Sequence, residues 1–380
     1  MSSPSEGAVG YAPGRGPVSE AATARVRRAT DDLAWVSWLK VIAITGVVAI
    51  HALSANAVEE GARGTVRGAL AIYIDMGFKF AVPLFVMVSG ALLLDPQRFV
   101  STGHFVRKRV FRIVPPLVFW HLWYWALMQL RWSEPPSIRE SAVAVMTGEL
   151  YTGLYFFWII LGLALVTPVL VPFVKASPRR HVAIAAVFAL AVPVLTTVTR
   201  GLRSSSTSNF DIAWVWWVPY LGVYLLGYCL RTVVLRGSVL AGASVLTALL
   251  AVLQGWQWNN AEAPALLNVL SPVSYFAPLL LVYTALVFLV VKSVVREGGL
   301  LRSLASGTPA RWARTLGDAT LGVFGLHLTA ILVVNAYVFP VDGPAADSAA
   351  HLAFRGLATL VGTYVVVLIL KRVPVVRSVL

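Results

Sequence analysis

The fold is decided by Trp35-Val-Ser-Trp-Leu-Lys40-Val-Ile-Ala-Ile-Thr-Gly-Val-Val-Ala-Ile-His51-Ala-Leu-Ser54, an apolar run long enough to span a bilayer. Placing an ionisable side chain inside the hydrocarbon core costs free energy, so the presence of Lys40 and His51 in this run needs an explanation. They are eleven residues apart. On an α-helix this spacing places them roughly 20° apart in azimuth and about 16 Å apart in height. The stretch therefore predicts a membrane helix with Lys40 and His51 on one face, at two depths.

A purely structural interpretation of this pair is available. Lys40 could extend its ammonium group to the interface, and His51 could bond a backbone carbonyl. The residues that follow in the chain decide between this interpretation and a functional one.

The composition is that of an integral membrane protein. Of 380 residues, 58% are hydrophobic and 13% are charged, and the mean hydropathy is +0.76. Soluble domains are about one quarter charged. The single cysteine, Cys229, excludes an intrachain disulfide and does not suggest a thiolate metal site. We therefore predict no metal site and no bound cofactor.

The chain divides into three parts. Residues 1–33 are polar and predict a disordered cytoplasmic tail, with no signal peptide evident. Residues 34–371 form the predicted transmembrane domain, and residues 372–380 a second cytoplasmic tail. The fold class predicted is all-α, a polytopic membrane protein of about ten transmembrane helices. The ten apolar runs are 34–54, 69–94, 114–130, 154–174, 181–199, 214–232, 237–256, 271–293, 316–336 and 351–370.

The distribution of positive charge predicts the orientation in the membrane. If the N-terminus is cytoplasmic, the segments on its side hold 22 basic residues and the opposite loops hold 6. Basic residues concentrate on the cytoplasmic side, so both termini are expected there. The net charge of +14 thus reflects topology and contact with anionic membrane lipid, and gives no support to nucleic-acid binding.

The second apolar run carries a further pair of charges. Asp75 and Lys79 are four residues apart, a spacing at which they can neutralise each other on one helical face. A structural ion pair is an adequate explanation for them. Pro83 removes a helical hydrogen bond, and Gly90 allows a backbone or a ligand to come close. We expect a kinked helix beside a cavity.

A basic stretch, Arg107-Lys-Arg-Val-Phe-Arg112, follows this helix. Arg109 and Arg112 lie on the same side of a helix, at the expected cytoplasmic end. Paired guanidinium groups suit a phosphate-bearing ligand, because arginine donates two parallel hydrogen bonds to phosphate. An ordinary positive anchor at the membrane surface is the alternative.

Four motifs occur in a fixed order along the chain. They are Leu39-Lys40 with Val47-Val-Ala-Ile-His51, Lys79 with Val82-Pro-Leu-Phe85 and Ser89-Gly90, the run from Arg107 to Pro115, and Thr320-Leu-Gly-Val-Phe-Gly-Leu-His327. Together they resemble membrane acyltransferase family 3, particularly its branch of bacterial surface-polysaccharide O-acetyltransferases. The resemblance covers residues 34 to about 371, and the family has ten helices.

Three positions depart from the family pattern. Ser37 stands where the family often has an acid, three residues before the basic residue of the first helix. The usual His-Leu-Trp-Phe-Leu entry to the fourth helix is Gly153-Leu-Tyr-Phe-Phe157 here. Phe324 replaces the usual tyrosine before the late histidine.

The resemblance implies transfer of an acyl group, by default acetyl, from cytosolic acyl-CoA to a hydroxyl of a glycan, a lipid-linked sugar or a related acceptor. It implies a multi-pass protein of a bacterial inner membrane that modifies polysaccharide of the cell envelope. Acyl-CoA is then a co-substrate. The oligomeric state stays open, a homo-oligomer included.

Acyl transfer from a thioester needs a base for the acceptor proton and a site for the developing oxyanion. His51 is the candidate base, since imidazole titrates near neutral pH. Lys40, Lys79, Arg109 and Arg112 would form a basic path from the CoA phosphates to the thioester. His327 could orient His51 or the acceptor, or could be structural. Ser89 could donate a hydrogen bond or simply pack. We assign catalytic roles to His51, Lys40 and His327, and substrate binding to Lys79, Ser89, Arg109 and Arg112.

Other mechanisms and functions stay open at this point. An acyl-enzyme through His51 or a serine is the alternative to direct transfer, which is simpler. A transporter or flippase could use the same intramembrane charges in a proton relay, although no paired repeats or two matched broken helices are evident. A membrane receptor or scaffold would leave those charges unexplained.

Overall fold

The computed structural model describes residues 33–59, 61–203, 213–260, 262–296, 298–340 and 348–380. The predicted tail 1–33 therefore lies outside the described residues, apart from Leu33. The described residues are mainly α-helical and contain no β-strand, which confirms the all-α class. The helices are α1 (Ala34–Val58), α2 (Val66–Phe78), α3 (Ala81–Leu93), α4 (Thr102–Arg131), α5 (Ile138–Thr147), α6 (Tyr155–Ala176), α7 (Arg179–Arg203), α8 (Leu221–Leu230), α9 (Gly237–Asn259), α10 (Ala265–Leu270), α11 (Pro278–Val294), α12 (Gly307–Asp318), α13 (Thr320–Val333) and α14 (Ala349–Leu370).

Eight helical segments of the described chain are long and apolar enough to cross a membrane, which confirms a multi-pass membrane protein. The other two predicted spans, 114–130 and 271–293, fall on α4 and α11. Helix α4 begins with a basic half and continues into an apolar half. Its start is fixed by Ser101, whose side chain accepts a hydrogen bond from the His104 N–H. Helix α11 has only 17 residues. The eight segments are Ala34–Val58, Val66–Leu93, Tyr155–Ala176, Arg179–Thr199, Ala213–Leu230, Gly237–Asn259, Thr320–Val338 and Ala349–Leu370.

The predicted kink in the second span lies earlier than Pro83. Helix α2 ends at Phe78, Lys79 is its C-cap residue, and α3 begins at Ala81. Pro83 has no N–H with which to bond the carbonyl four residues before it, which is that of Lys79. The proline thus explains a break at Lys79 rather than a bend at its own position. Asp75 and Lys79 consequently lie on a helix and on its cap, not within one continuous helix.

Helix α1 lies at the centre of the bundle, in contact with α2, α3, α11, α12, α13 and α14. Its buried face consists of small and branched apolar residues, including Ala43, Ile44 and Val48. The stretch that predicted the first membrane helix is therefore also an element against which six other helices pack.

Glycines bring α3 and α8 into close contact. A Cβ added to Gly90 would lie 1.9 Å from the Tyr224 carbonyl oxygen, and one added to Gly227 would lie 2.0 Å from that of Met87. Small residues permit this approach between membrane helices. Of the two partners expected to come close to Gly90, a backbone or a ligand, the structure places a backbone there, that of α8.

The segment after α14 folds back onto the bundle. A 3₁₀ turn at Val376–Val379 follows the helix, and the Trp120 indole N–H donates to the Val379 carbonyl over 3.2 Å. Leu380 is buried, close to Gly322. The predicted tail 372–380 therefore packs beside α4 and α13.

Candidate active site

A cavity of about 160 Å³, here called the inner cavity, brings together four of the predicted residues. Lys40 comes from α1, Ser89 from α3, and Arg109 and Arg112 from α4. These residues are up to 72 positions apart in the chain and meet because α1, α3 and α4 converge at the predicted cytoplasmic end. The remaining surface is mostly apolar, with aromatic side chains at Phe85, Phe156, Tyr224 and Phe324.

The inner cavity continues outwards into a second space of about 430 Å³, here called the side cleft. Lys40, Ser89, Arg109 and Arg112 line both spaces. The side cleft adds Arg98, His104 and Lys108 from the loop before α4 and from its first turns. A ligand with an anionic group could therefore reach Lys40 along a continuously basic surface.

One hydrogen-bond donor of the Arg109 guanidinium group is unused in this arrangement. Its Nε is buried and has no hydrogen-bond partner among the described residues. The guanidinium carbon lies 5.5 Å from the ring centroid of Phe105. A buried donor without a partner costs free energy, on the order of 1–3 kcal/mol. A bound anion would remove this cost.

Sequence reasoning missed one acid beside these cations. Asp318, the last residue of α12, exerts an electrostatic effect on Lys40 together with Arg112 and Arg109. The preceding residue, Gly317, packs against Ser37, one turn before Lys40. The sequence does place Asp318 at the boundary between a basic loop and an apolar span. It does not show which helix the Asp318 side chain faces.

His51 and His327 form a pair deeper in the bundle. Their ring centroids lie 5.2 Å apart, with an angle of 46° between the ring planes. His327 is fully buried, and its Nδ1 lies 2.6 Å from the Phe324 carbonyl oxygen. A carbonyl only accepts, so Nδ1 donates and Nε2 is left as an acceptor. Nε2 has no hydrogen-bond partner within the described part of the chain.

A third buried histidine shows what a fully bonded imidazole looks like here. His121 also bonds a backbone carbonyl through Nδ1, that of Leu117, over 2.7 Å. Its Nε2 then accepts from the Trp158 indole N–H over 3.3 Å. Both ring nitrogens of His121 are used within the protein. The contrast with His327 separates a structural histidine from one with an unused acceptor.

Aromatic rings lie between the inner cavity and the histidine pair. Phe324 lines the cavity, and its ring centroid is 5.6 Å from that of His327. Phe156 and Phe157 pack on Phe324 at 4.8 Å and 5.4 Å. The two histidines therefore lie one aromatic layer beyond the cavity, as expected for Lys40 and His51 at different depths.

A glycine leaves room beside the first histidine. Gly153 precedes α6 with φ of +83°, a conformation that side chains rarely adopt. A Cβ at this position would lie 3.5 Å from His51 Nε2. The loop backbone therefore approaches the imidazole, and the missing side chain keeps the space at Nε2 open.

A buried arginine supports α1 just beyond His51, and sequence reasoning missed it. Arg355 of α14 donates to the Ala52 carbonyl over 3.2 Å and to the Asn56 side chain. The sequence could have indicated Arg355, because burying an arginine inside the apolar run 351–370 costs free energy, as burying Lys40 in the first run does.

Lys79 lies apart from the other predicted binding residues. At the break between α2 and α3, its ammonium group is 5.6 Å from the ring centroid of Tyr275. Lys79 and Asp75 influence each other electrostatically. Lys79 is not among the side chains that line the inner cavity or the side cleft. Its role in substrate binding stays a prediction.

Comparison with known proteins decides the family. Residues 33–371 match the acyltransferase domain that defines acyltransferase family 3. The chain belongs to acyltransferase family 3. No curated protein and no solved structure matches this chain. The resemblance inferred from four motifs is thereby confirmed over nearly the whole chain.

Membership in acyltransferase family 3 makes the protein a multi-pass membrane acyltransferase. Within the described residues, this family 3 acyltransferase has no group of three His, Cys, Asp or Glu side chains that could hold a metal ion.

Proposed function

We propose that this family 3 acyltransferase moves an acyl group, by default acetyl, from cytosolic acyl-CoA to a hydroxyl of a glycan or lipid-linked sugar in a bacterial inner membrane. One observation carries the proposal. Lys40, Ser89, Arg109 and Arg112 come from three helices to one cavity, directly against the aromatic layer that covers the histidine pair.

The cationic side of the site suits the donor. Arg109 and Arg112 present guanidinium groups at the predicted cytoplasmic entrance, where they would bind phosphate groups of acyl-CoA. Lys40 is further inside, where its ammonium group would stabilise negative charge on the thioester oxygen as the carbonyl carbon becomes tetrahedral. Ser89, which lines the same space, is placed to donate a hydrogen bond to that oxygen.

The histidine pair suits the acceptor. His51 would take the proton of the acceptor hydroxyl as it attacks the thioester carbon, and the leaving thiolate of CoA would then be protonated. His327, held by the Phe324 carbonyl, would fix the position of His51. The open space at His51 Nε2, beside Gly153, is where the hydroxyl would bind.

Direct transfer requires the thioester and the hydroxyl to meet across the aromatic layer. Phe324 is the ring that contacts both sides, so its side chain would have to move when the two substrates are bound. The reacting groups are then shielded from water by the same rings, which favours transfer over hydrolysis.

The test is transfer by purified full-length protein in lipid nanodiscs. Radiolabelled acetyl-CoA and a panel of longer acyl-CoA thioesters are supplied with hydroxyl acceptors, and label in the acceptor and free CoA are measured together. We expect both to appear in equal amounts. A matched control is Arg311→Gln, which removes an exposed arginine of α12 whose guanidinium group donates to the Thr308 hydroxyl.

The result also separates the enzyme from a transporter or flippase, which would leave the thioester intact. Hydroxylamine-sensitive label retained on His51 would replace direct transfer by an acyl-enzyme mechanism. Intact thioester with every acceptor, in protein that binds CoA, would remove the proposed reaction.

A further inference from the structure

A third space opens at the first turns of α4, and the proposed function leaves it unused. This space, here called the basic cleft, has a volume of about 1080 Å³. It borders the inner cavity at Arg112 and Leu321, which line both. Its ionisable side chains come from α4, from the end of α12 and from the segment after α14, and comprise His104, Arg107, Lys108, Arg112, Asp318, Lys371 and Arg377.

We propose that the basic cleft binds the phosphorylated nucleotide end of the acyl donor, and that Lys371 and Arg377 are phosphate-binding residues of this subsite. The inference rests on the proposed function, because it takes acyl-CoA as the donor. It assigns a role in substrate binding to the segment 371–380, of which residues 372–380 were predicted to be a cytoplasmic tail.

The sizes of the connected spaces match the shape of such a donor. The inner cavity, at about 160 Å³, admits a narrow group, whereas the basic cleft, at about 1080 Å³, admits a nucleotide. An acyl-CoA has a slender pantetheine arm that ends in the thioester and a bulky head that carries its phosphates. With the head in the basic cleft and the arm in the inner cavity, the thioester points towards Lys40.

The charge of the basic cleft matches the head as well. Five cationic side chains and one side-chain carboxylate line it. No carboxylate lies within ion-pair distance of Arg107 or Arg377 in the part of the chain that the structure describes. Paired guanidinium and ammonium groups are the usual partners of phosphate oxygens.

Lys371 is held in place for this role. Its ammonium group donates to the Asp318 carbonyl over 2.8 Å, which leaves two further N–H donors. Burial lowers the pKa of Lys371, and the Asp318 carboxylate acts in the opposite direction. The 3₁₀ turn that carries Arg377 is anchored by the bond from Trp120 to Val379.

The side cleft is the weaker candidate for the nucleotide. It has less than half the volume of the basic cleft. The arginine that it adds, Arg98, lies 3.4 Å from the Asp95 carboxylate, so its charge is already offset. The side cleft therefore matches the nucleotide less well than the basic cleft does.

The first experiment compares donors with and without the nucleotide. The full chain in phosphatidylcholine nanodiscs is assayed with acetyl-CoA and with acetyl-pantetheine, which lacks the nucleotide. For Lys371→Gln/Arg377→Gln we expect the KM for acetyl-CoA to rise about tenfold or more, from the loss of charged hydrogen bonds. The KM for acetyl-pantetheine and kcat for both donors should stay unchanged. Arg372→Gln is the matched control, since this neighbouring arginine does not line the cleft.

The second experiment measures binding without turnover. Adenosine 3′,5′-bisphosphate represents the nucleotide end, and its affinity is measured by calorimetry for wild type, Arg372→Gln and the double variant. We expect loss of affinity in the double variant alone. This result would support the subsite even if no acceptor were ever acylated, so failure of the proposed function remains distinguishable.

Two outcomes would overturn the inference. One is an unchanged KM for acetyl-CoA in an active double variant. The other is a wild-type protein that does not bind the bisphosphate but is stabilised by phosphatidylglycerol through Lys371 and Arg377, which would make the cleft a site for anionic lipid headgroups.

Discussion

His51 and His327, 276 residues apart in the chain, place their imidazole rings with centroids 5.2 Å apart. The backbone fixes one of the two, because the Phe324 carbonyl accepts from His327 Nδ1. The Nε2 atom of the same ring finds no partner in the described residues. A base held beside an oriented second group is the usual arrangement for general acid–base catalysis.

The first prediction follows from this pair. His51→Ala should lower kcat by about 10²–10⁴, the usual contribution of general acid–base catalysis, while the KM for acyl-CoA stays near wild type. The control is His121→Gln, which replaces a buried histidine whose two nitrogens are already bonded within the protein. It should retain most of its turnover when well folded. Near-normal kcat in His51→Asn or His51→Gln would contradict the catalytic assignment.

The two arginines of the inner cavity give a binding prediction. Arg109→Gln/Arg112→Gln should raise the KM for acyl-CoA far more than it lowers kcat, because the lost contacts to phosphate are made equally in the ground state and the transition state. Steady-state kinetics over a range of acyl-CoA concentrations measure the split. Arg311→Gln serves as the charge-matched control. An unaltered donor KM in folded protein would return both arginines to the role of a membrane anchor.

The aromatic layer gives a prediction about water. Phe324→Ala should increase hydrolysis of acyl-CoA in the absence of acceptor and reduce transfer, because the smaller side chain opens the space between the inner cavity and His327 to water. Release of free CoA without acceptor is the measurement. Phe188→Ala, which removes an exposed ring of α7, should behave as wild type. Hydrolysis at the wild-type rate in Phe324→Ala would show that the ring does not exclude water.

Two glycine substitutions, compared with each other, test whether the acceptor hydroxyl binds beside His51. Gly153→Ala should lower kcat with the acceptor, because the added Cβ would lie 3.5 Å from His51 Nε2. Some loss of stability is also expected, since alanine is strained at positive φ by about 1 kcal/mol. Gly61→Ala isolates this strain: its φ is +78° and nothing lies within 4 Å of the added Cβ. Equal kcat in the two variants would place the acceptor elsewhere.

The contact between α3 and α8 gives a stability prediction. Gly90→Ala should destabilise the protein by about 1–3 kcal/mol, because a Cβ 1.9 Å from the Tyr224 carbonyl oxygen forces the helices apart. Thermal unfolding in detergent measures the effect. Gly242→Ala in α9 is the control, since nothing lies within 4 Å of its added Cβ. A Tm for Gly90→Ala equal to that of the control would mean that the two helices separate freely.

Much of the architecture could be predicted because a membrane span is a local property. Whether an apolar run is long enough to span the bilayer can be read directly from the sequence. Most of the predicted runs match helices of the structure. The relation between Lys40 and His51 followed from helical periodicity alone. The kink expected in the second span is a break at Lys79, because Pro83 cannot donate a hydrogen bond to the carbonyl four residues earlier.

The remaining parts of the site depend on packing between distant segments. Asp318 approaches Lys40 because Gly317 fits against Ser37, and no local pattern records that contact. The segment 372–380 was predicted to be a cytoplasmic tail, yet it is held by a tryptophan of α4. Arg355 was detectable from its position within an apolar run, but its bond to Ala52 was not.

The layer formed by Phe156, Phe157 and Phe324 has a consequence for the membrane as an electrical insulator. Cations line a cavity on one side of this layer, and the histidine pair lies on the other side. Without a dry partition between them, protons and small ions would cross at every turnover cycle. Three phenyl rings provide that partition, in the way that apolar constrictions close ion channels. If the protein passes an acyl group through the bilayer as proposed, this partition would let the cell keep its membrane potential.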